Sequence, residues 1–275
     1  MKLHDMHIHM DSSGITSEEF VKRLDKGGVD KAVLLSDRPA SFTPSMDPSE
    51  LSASKRLAIV MDWAEYSDRI IPFFWIDPLE EDAVEQVDKA VEAGIAGFKV
   101  ICNRHFPCDD KPMKVWEHIA AKDKPILFHS GILYSRSPSS NYNRPANFEA
   151  LIFVPNLRFA MAHVSWPWHD ECLAVYGHWQ SVKRSGQTAA EMFIDTTPGS
   201  PKIYRKEIFA KIYGIGYDVE NNIIFGTDCS SDYDVDYLKY IVDMDEEAFD
   251  AAGVSKEARE KYYSGNLSRF LLGDK

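Results

Sequence analysis

The sequence predicts an α/β fold closed into a (β/α)8 TIM barrel, and three observations predict it. Eight β-type runs alternate with helical runs along the chain, with little sequence left between them. Strands that alternate with helices pair in parallel, and eight such units suffice to close a sheet on itself. The length of 275 residues falls where such barrels run as one unit, about 250 residues, so residues 1–275 read as a single domain. The open doubly wound sheet is the alternative. It more often carries a glycine-rich phosphate loop after its first strand, and Gly14 stands alone there.

The first β-type run is Leu3-His4-Asp5-Met6-His7-Ile8-His9-Met10. Its alternation aims Asp5, His7 and His9 at one face. Ser12-Ser13-Gly14 turns the chain, and Thr16-x-x-Glu19 reads as a capping box for a helix ending near Gly27-Gly28. Lys31 to Ser36 is the second β-type run. A Pro/Ser-rich loop from Arg38 to Pro48 then precedes a helical pattern to about Tyr66, and a loop of that length in a compact domain is more often functional than idle. Ile70 to Asp77 reads as strand, Glu80 to Ala93 as a helix closing on Gly94, and Ile95 to Ile101 as strand. A helix from Lys111 to Lys122 leads into the run Pro125 to Gly131. A shorter one around Ala146 to Phe153 leads into Arg158 to Val164. Next come a helix from Asp170 to Lys183, a strand Met192 to Thr196, a helix Lys202 to Tyr213 and the strand Ile223 to Asp228. Asp236 to Ala251 and Lys256 to Leu272 close the chain as helices.

Composition narrows the partners. Hydrophobic content of 44% with 12% aromatics supplies a continuous core. The formal charge of −12 argues against nucleic acid or an acidic membrane surface, because phosphate binding needs a basic face. A small anionic molecule remains compatible, since a metal ion and a few cations can dominate one pocket. Self-association into a homo-oligomer is allowed and carries no signal of its own. Cys102, Cys108, Cys172 and Cys229 show no Cys-x-x-Cys spacing. With the first strand starting at once and no apolar run long enough for a span, a cytoplasmic setting is the expectation.

In a barrel the C-terminal ends of the strands share one mouth. The chain places His7 and His9 at the end of strand one, Lys99 at strand four, His129 at strand five, His163 at strand six and Asp228 at strand eight. Each alone is ordinary: a lone histidine after an apolar run is more often a hydrogen-bonded core residue, Asp228 reads equally as a helix cap, and Lys99 as a solvated lysine. Six metal-compatible groups at strand ends are a different matter, because neutral imidazole and carboxylate are the usual ligands of divalent metals.

His7-Ile8-His9, Phe128-His129-Ser130-Gly131, Ala162-His163-Val164-Ser165-Trp166-Pro167-Trp168, Phe225-Gly226-Thr227-Asp228 and Gly265-Asn266-Leu267-Ser268-Arg269-Phe270-Leu271 together resemble the amidohydrolase superfamily. They look most like its branch of metal-dependent TIM-barrel hydrolases and decarboxylases, and the likeness runs from residue 4 to residue 272. It implies a divalent metal, usually zinc, held by His7, His9, His129 and Asp228. His163 would bind substrate or a second ion. Members with two ions bridge them through a carboxylated lysine on strand four, where Lys99 stands; in the single-metal branch Lys99 would stay charged and contact substrate. One tightly bound ion with a weaker second site is the expectation.

The chemistry follows from the metal. Zinc lowers the pKa of its water from about 15.7 to about 7, Asp228 is the natural proton carrier, and His163 would steady the developing oxyanion. That describes a hydrolase of a small carboxylate-bearing or sugar-derived ester, lactone or amide. A decarboxylase of a small carboxylic acid, using the same ligands, is the alternative, and a barrel that only binds its ligand is a third reading. Selectivity falls to the loops. Arg136 and Arg144, among the hydroxyls and amides of Tyr134 to Pro145, would pair with a substrate carboxylate or simply decorate an exposed loop. Trp166 would wall the pocket or pack at the start of the next helix.

Overall fold

The structure, a computed structural model, describes residues 2–11, 14–42, 52–134 and 140–273. The Ser12-Ser13 turn, most of the Pro/Ser-rich loop and Arg136 lie outside them.

All the strand pairs are parallel. The sheet runs in the order β8-β7-β6-β5-β4-β3-β2-β1-β9, with β1 His4–His9, β2 Lys31–Leu35, β3 Ile70–Trp75, β4 Gly97–Val100, β5 Ile126–Phe128, β6 Arg158–Met161, β7 Glu191–Asp195, β8 Ile223–Ile224 and β9 Cys229–Ser230. β8 opens the run Ile223 to Asp228 that the sequence reads as strand eight, and β9 follows directly after that run. β8 pairs with β7 and β9 with β1. Between them the Met6 amide donates to the Phe225 carbonyl at 3.1 Å and the Asp228 amide to the His7 carbonyl at 2.9 Å. The ring therefore closes through this segment, as a (β/α)8 barrel requires.

Side-chain parity sorts the core into two layers. Met6, Val33, Leu35, Phe73, Leu127, Ala160, Phe193 and Ile224 cluster inside the ring, and Leu267 and Phe270 join them. The residues next to them along the strands, Ala32, Leu34, Phe74, Ile126, Phe128, Phe159 and Ile194, pack outward with the helices, as the two-residue period of a strand demands.

The helices are α1 Ser17–Gly27, α2 Ala53–Tyr66, α3 Ala83–Ala93, α4 Asp110–Ala121, α5 His169–Arg184, α6 Arg205–Gly214, α7 Val235–Ala252, α8 Lys256–Glu260 and α9 Asn266–Leu272. α1 carries the expected capping box of Thr16 and Glu19 and ends on a left-handed Gly28. α9 closes the floor of the barrel: the Arg158 guanidinium, at the start of β6, donates to the Phe270 carbonyl at 2.9 Å, and the Asn266 amide donates to the Ile223 carbonyl at 2.8 Å.

Three elements differ from expectation. Pro145–Phe153 forms a 3-10 helix rather than an α-helix. The run 158–164 leaves the sheet after Met161, because His163, Val164 and Ser165 all take positive φ. β1 carries a register shift: Asp5 pairs with Ala32 but Ile8 with Leu34, so three steps on one strand face two on the other. The extra residue is a bulge. It turns both Met6 and His7 inward and leaves Asp5 facing out, correcting the expectation that Asp5 shares a face with His7 and His9.

Candidate metal centre

His7 is fully buried at the mouth end of β1, and Asp195 determines which of its nitrogens is free. The ring Nδ1 lies 2.7 Å from Asp195 Oδ2, a carboxylate on the last residue of β7. That acceptor holds the ring proton on Nδ1 and leaves Nε2 bare. His7 Nε2 then stands 3.2 Å from His9 Nε2 and 3.4 Å from Asp228 Oδ1, and His9 Nε2 stands 3.3 Å from the same oxygen. These three ligand atoms lie within 4.8 Å of one another, a spacing that one ion can bridge. His9 and Asp228 are about 30% accessible at their side chains while His7 has none, so the cluster opens in one direction only.

The opening leads into a cavity of about 310 Å³ lined by His9, Lys99, His129, His163, Trp166 and Asp228, among others. That volume sits at the small end of ligand sites. A larger cavity, about 620 Å³, lies elsewhere, around Trp179, Lys183 and Arg269. Glu191 engages both of those cations, and none of the clustered ligand residues lines it, so the smaller cavity is the one that belongs to the chemistry.

Electrostatics favours a metal over protons. Burial, then the Lys99 charge, drives the His7 pKa well below its ordinary value. Burial, then His163, does the same to His129, and burial lowers His163 to about 4. All three are neutral bases at pH 7, the form that ligates. Burial opposes the charge of Asp228, but the imidazoles of His7, His9 and His163 outweigh it and hold the group a carboxylate. Lys99, fully buried, is lowered to about 8 by burial. Its ammonium stands 3.2 Å from His7 Nε2, where parity places it: Lys99 pairs with Leu127, an inward-facing residue of β5.

Four expectations are corrected or bounded. His129 lines the cavity but does not join the ligand cluster; its Nε2 is turned to the Ile132 carbonyl at 3.2 Å. Arg144 is drawn away to the flank, where Glu171 near the start of α5 takes it at 2.6 Å and its guanidinium lies over Trp168. Arg136 lies outside the described residues. His163 lines the cavity, and with Nδ1 already engaged by Thr197 only its Nε2 remains to meet a substrate. Thr197 Oγ1 lies 2.8 Å from His163 Nδ1. Trp166 lines the cavity, tilted against Tyr204 with ring centres 4.8 Å apart.

Sequence reasoning missed Asp195 and Thr197. Asp195 ends a β-type run just as His7 and His129 do, and that rule would have found it. Two glycines shape the His163 turn from either side. A Cβ on Gly131, whose φ is +100°, would stand 2.3 Å from the Trp166 carbonyl oxygen, and one on Gly199 would stand 2.7 Å from the His163 Cβ.

No curated protein matches the chain. Among solved structures, it is similar to a probable 2-pyrone-4,6-dicarboxylic acid hydrolase from Acinetobacter baumannii, with 13% identity over 99% of this chain and 100% of that one and a TM-score of 0.61. It is also similar to 5-carboxyvanillate decarboxylase from Sphingomonas paucimobilis, with 13% identity over 98% of each chain and a TM-score of 0.66. A third is 2,6-dihydroxybenzoate decarboxylase from Rhizobium, with 16% identity over 98% of each chain and a TM-score of 0.65. At these identities the likeness is one of fold. Residues 5–271 match the model of the family described as amidohydrolase, and with nearly the whole chain inside that match, the chain belongs to the amidohydrolase family.

Proposed function

We propose that this chain is a metal-dependent hydrolase of a small carboxylate-bearing or sugar-derived ester, lactone or amide. One observation carries the reading: His7 Nε2, His9 Nε2 and Asp228 Oδ1 converge within 4.8 Å at the base of a cavity that also holds the Lys99 ammonium. The donor set of two imidazoles and a carboxylate suits zinc, and one ion fits it; an ion on His7 Nε2 takes the place of the Lys99 contact there, and the charged Lys99 turns to the substrate. A divalent cation held there supplies Lewis acidity toward a carbonyl or carboxylate oxygen and acidifies water.

The protein's own groups do the rest. Asp228, ionised and partly accessible, takes a proton and returns it to the leaving group. His163, which lines the cavity, steadies the developing oxyanion, and Lys99 pairs with the substrate's carboxylate. Trp166 covers one side and limits water.

Decarboxylation is a second reading, favoured by the same buried ammonium beside the ligand cluster and by the two structural relatives whose names describe aromatic acid decarboxylases. One experiment addresses both. The zinc-loaded protein is incubated with 2-pyrone-4,6-dicarboxylate and with 2,6-dihydroxybenzoate, and products are followed by carbon-13 NMR. Ring opening with all carbons retained supports the hydrolase, and release of bicarbonate supports the decarboxylase. If a wider panel of lactones, amides and aromatic acids also shows no turnover that Asp228→Asn abolishes, the catalytic reading fails.

A further inference from the structure

Behind the ligand cluster lies a second buried polar group that never reaches the cavity. Asp245, fully buried on α7, grips the Arg205 guanidinium side-on, with Nε at 2.7 Å and the second terminal nitrogen at 2.9 Å. It also accepts from the Tyr262 hydroxyl at 2.6 Å. Both partners reach one residue: Arg205 donates to the Thr196 carbonyl, and the Tyr262 oxygen lies 2.7 Å from Thr196 Oγ1.

Proton counting gives this chain a direction. Tyr262 spends its only hydroxyl proton on the carboxylate, so its oxygen accepts from Thr196. The Ile224 carbonyl, at 3.3 Å, is the weaker claimant on that Thr196 proton. Thr196 is thus held at its carbonyl and at its hydroxyl by a cluster anchored on one carboxylate. Its two neighbours are Asp195, which holds His7 Nδ1, and Thr197, which holds His163 Nδ1. Thr196, Arg205, Tyr262 and Asp245 are all buried, so water does not substitute for any missing member.

We infer that Asp245 is a positioning residue: through Arg205 and Tyr262 it fixes Thr196, and through Thr196 it fixes the tautomer and aim of His7 and His163. The inference rests on the proposed metal site for its functional meaning, but its structural content is a property of the metal-free protein as well.

Asp245→Asn leaves a buried guanidinium half-paired and risks the fold, so the test uses Tyr262→Phe and Thr196→Val, which delete one hydroxyl each and keep the volume. The first readout is imidazole nitrogen-15 NMR of the metal-free full-length protein. The wild type shows His7 with its proton on Nδ1; each variant is expected to show a mixture of tautomers at His7 or His163. The second readout is zinc affinity against a competing chelator, expected to weaken at least fivefold. Val87→Ala, in α3 remote from the site, serves as a control for stability loss alone and should keep both wild-type readouts. Wild-type imidazole signals in both hydroxyl variants overturn the inference whatever the metal result. Altered signals in a protein that binds no zinc uphold it and overturn the metal reading instead.

Discussion

A histidine offers one bare nitrogen at a time, and at His7 the choice rests with a carboxylate at the end of β7. Asp195→Asn puts an amide there whose NH2 can donate to Nδ1 and push the ring proton to Nε2, the nitrogen a metal needs. Zinc affinity is expected to fall about 10- to 100-fold with the circular dichroism spectrum unchanged; a change under twofold would remove the orienting role. His105 makes a second case. It is buried in the loop after β4, and no chain group among the described residues bonds either ring nitrogen. Burial lowers its pKa to about 4 against the nearby Asp77 and Asp109. Because the folded value lies below the unfolded 6.5, the unfolded chain binds more protons between those limits, and stability falls as pH drops through them. The shift corresponds to roughly 3 kcal/mol at most. Unfolding free energies of wild type and His105→Leu, measured from pH 7 to pH 4, should therefore diverge, with the variant flatter; parallel curves would contradict a depressed imidazole. At this scale His7, His9 and Asp228 were legible because each closes a β-type run. Arg144 misled, because its choice of Glu171 over a substrate is made by tertiary packing and leaves no trace in its own loop.

The elements that carry the site depart from regularity, and those departures were the illegible part. An inserted residue in β1 has no sequence mark of its own, yet the bulge decides that His7 rather than Asp5 points inward. The outward-facing Asp5 then becomes a fastener, accepting from the Thr227 hydroxyl at 2.6 Å and from the Tyr233 hydroxyl at 2.7 Å. The turn after β6 is the other departure. His163, Val164 and Ser165 hold φ of 62°, 44° and 58°, and a left-handed β-branched residue such as Val164 is costly. Buried bonds hold the turn: Ser130 Oγ lies 2.6 Å from Ser165 Oγ and donates to the Ala162 carbonyl at 3.0 Å. Gly131→Ala would drive a methyl into the Trp166 carbonyl from a φ that disfavours it. A loss of about 2 kcal/mol or more is expected in urea unfolding, along with a displaced His163 in a crystal structure; an unaltered stability would show that the turn yields freely.

At the level of the molecule, alternation and length sufficed to read the barrel. What they could not show was that the eighth strand is split, since the run Ile223 to Asp228 reads as unbroken and gives no sign of the separate pairing of Cys229–Ser230 with β1. Metal binding should feed back on the whole fold, because a site assembled from β1 and from the segment between β8 and β9 does not exist in the unfolded chain. At zinc a hundredfold above its Kd, stability is expected to rise by about 2.7 kcal/mol. A thermal melt would register this as an upward shift that excess chelator reverses, and an unmoved midpoint would mean no specific binding to the folded state. The split strand also has a kinetic consequence. Asp5 and Thr227 stand 222 positions apart, so the seam beside Asp228 joins the two ends of the chain and is among the contacts that cost the most loop entropy. His7 and His9 on β1 meet Asp228 only where this seam is formed. The arrival of metal-binding competence during refolding would therefore time the closing of the ring, a clock that needs no label beyond the metal itself.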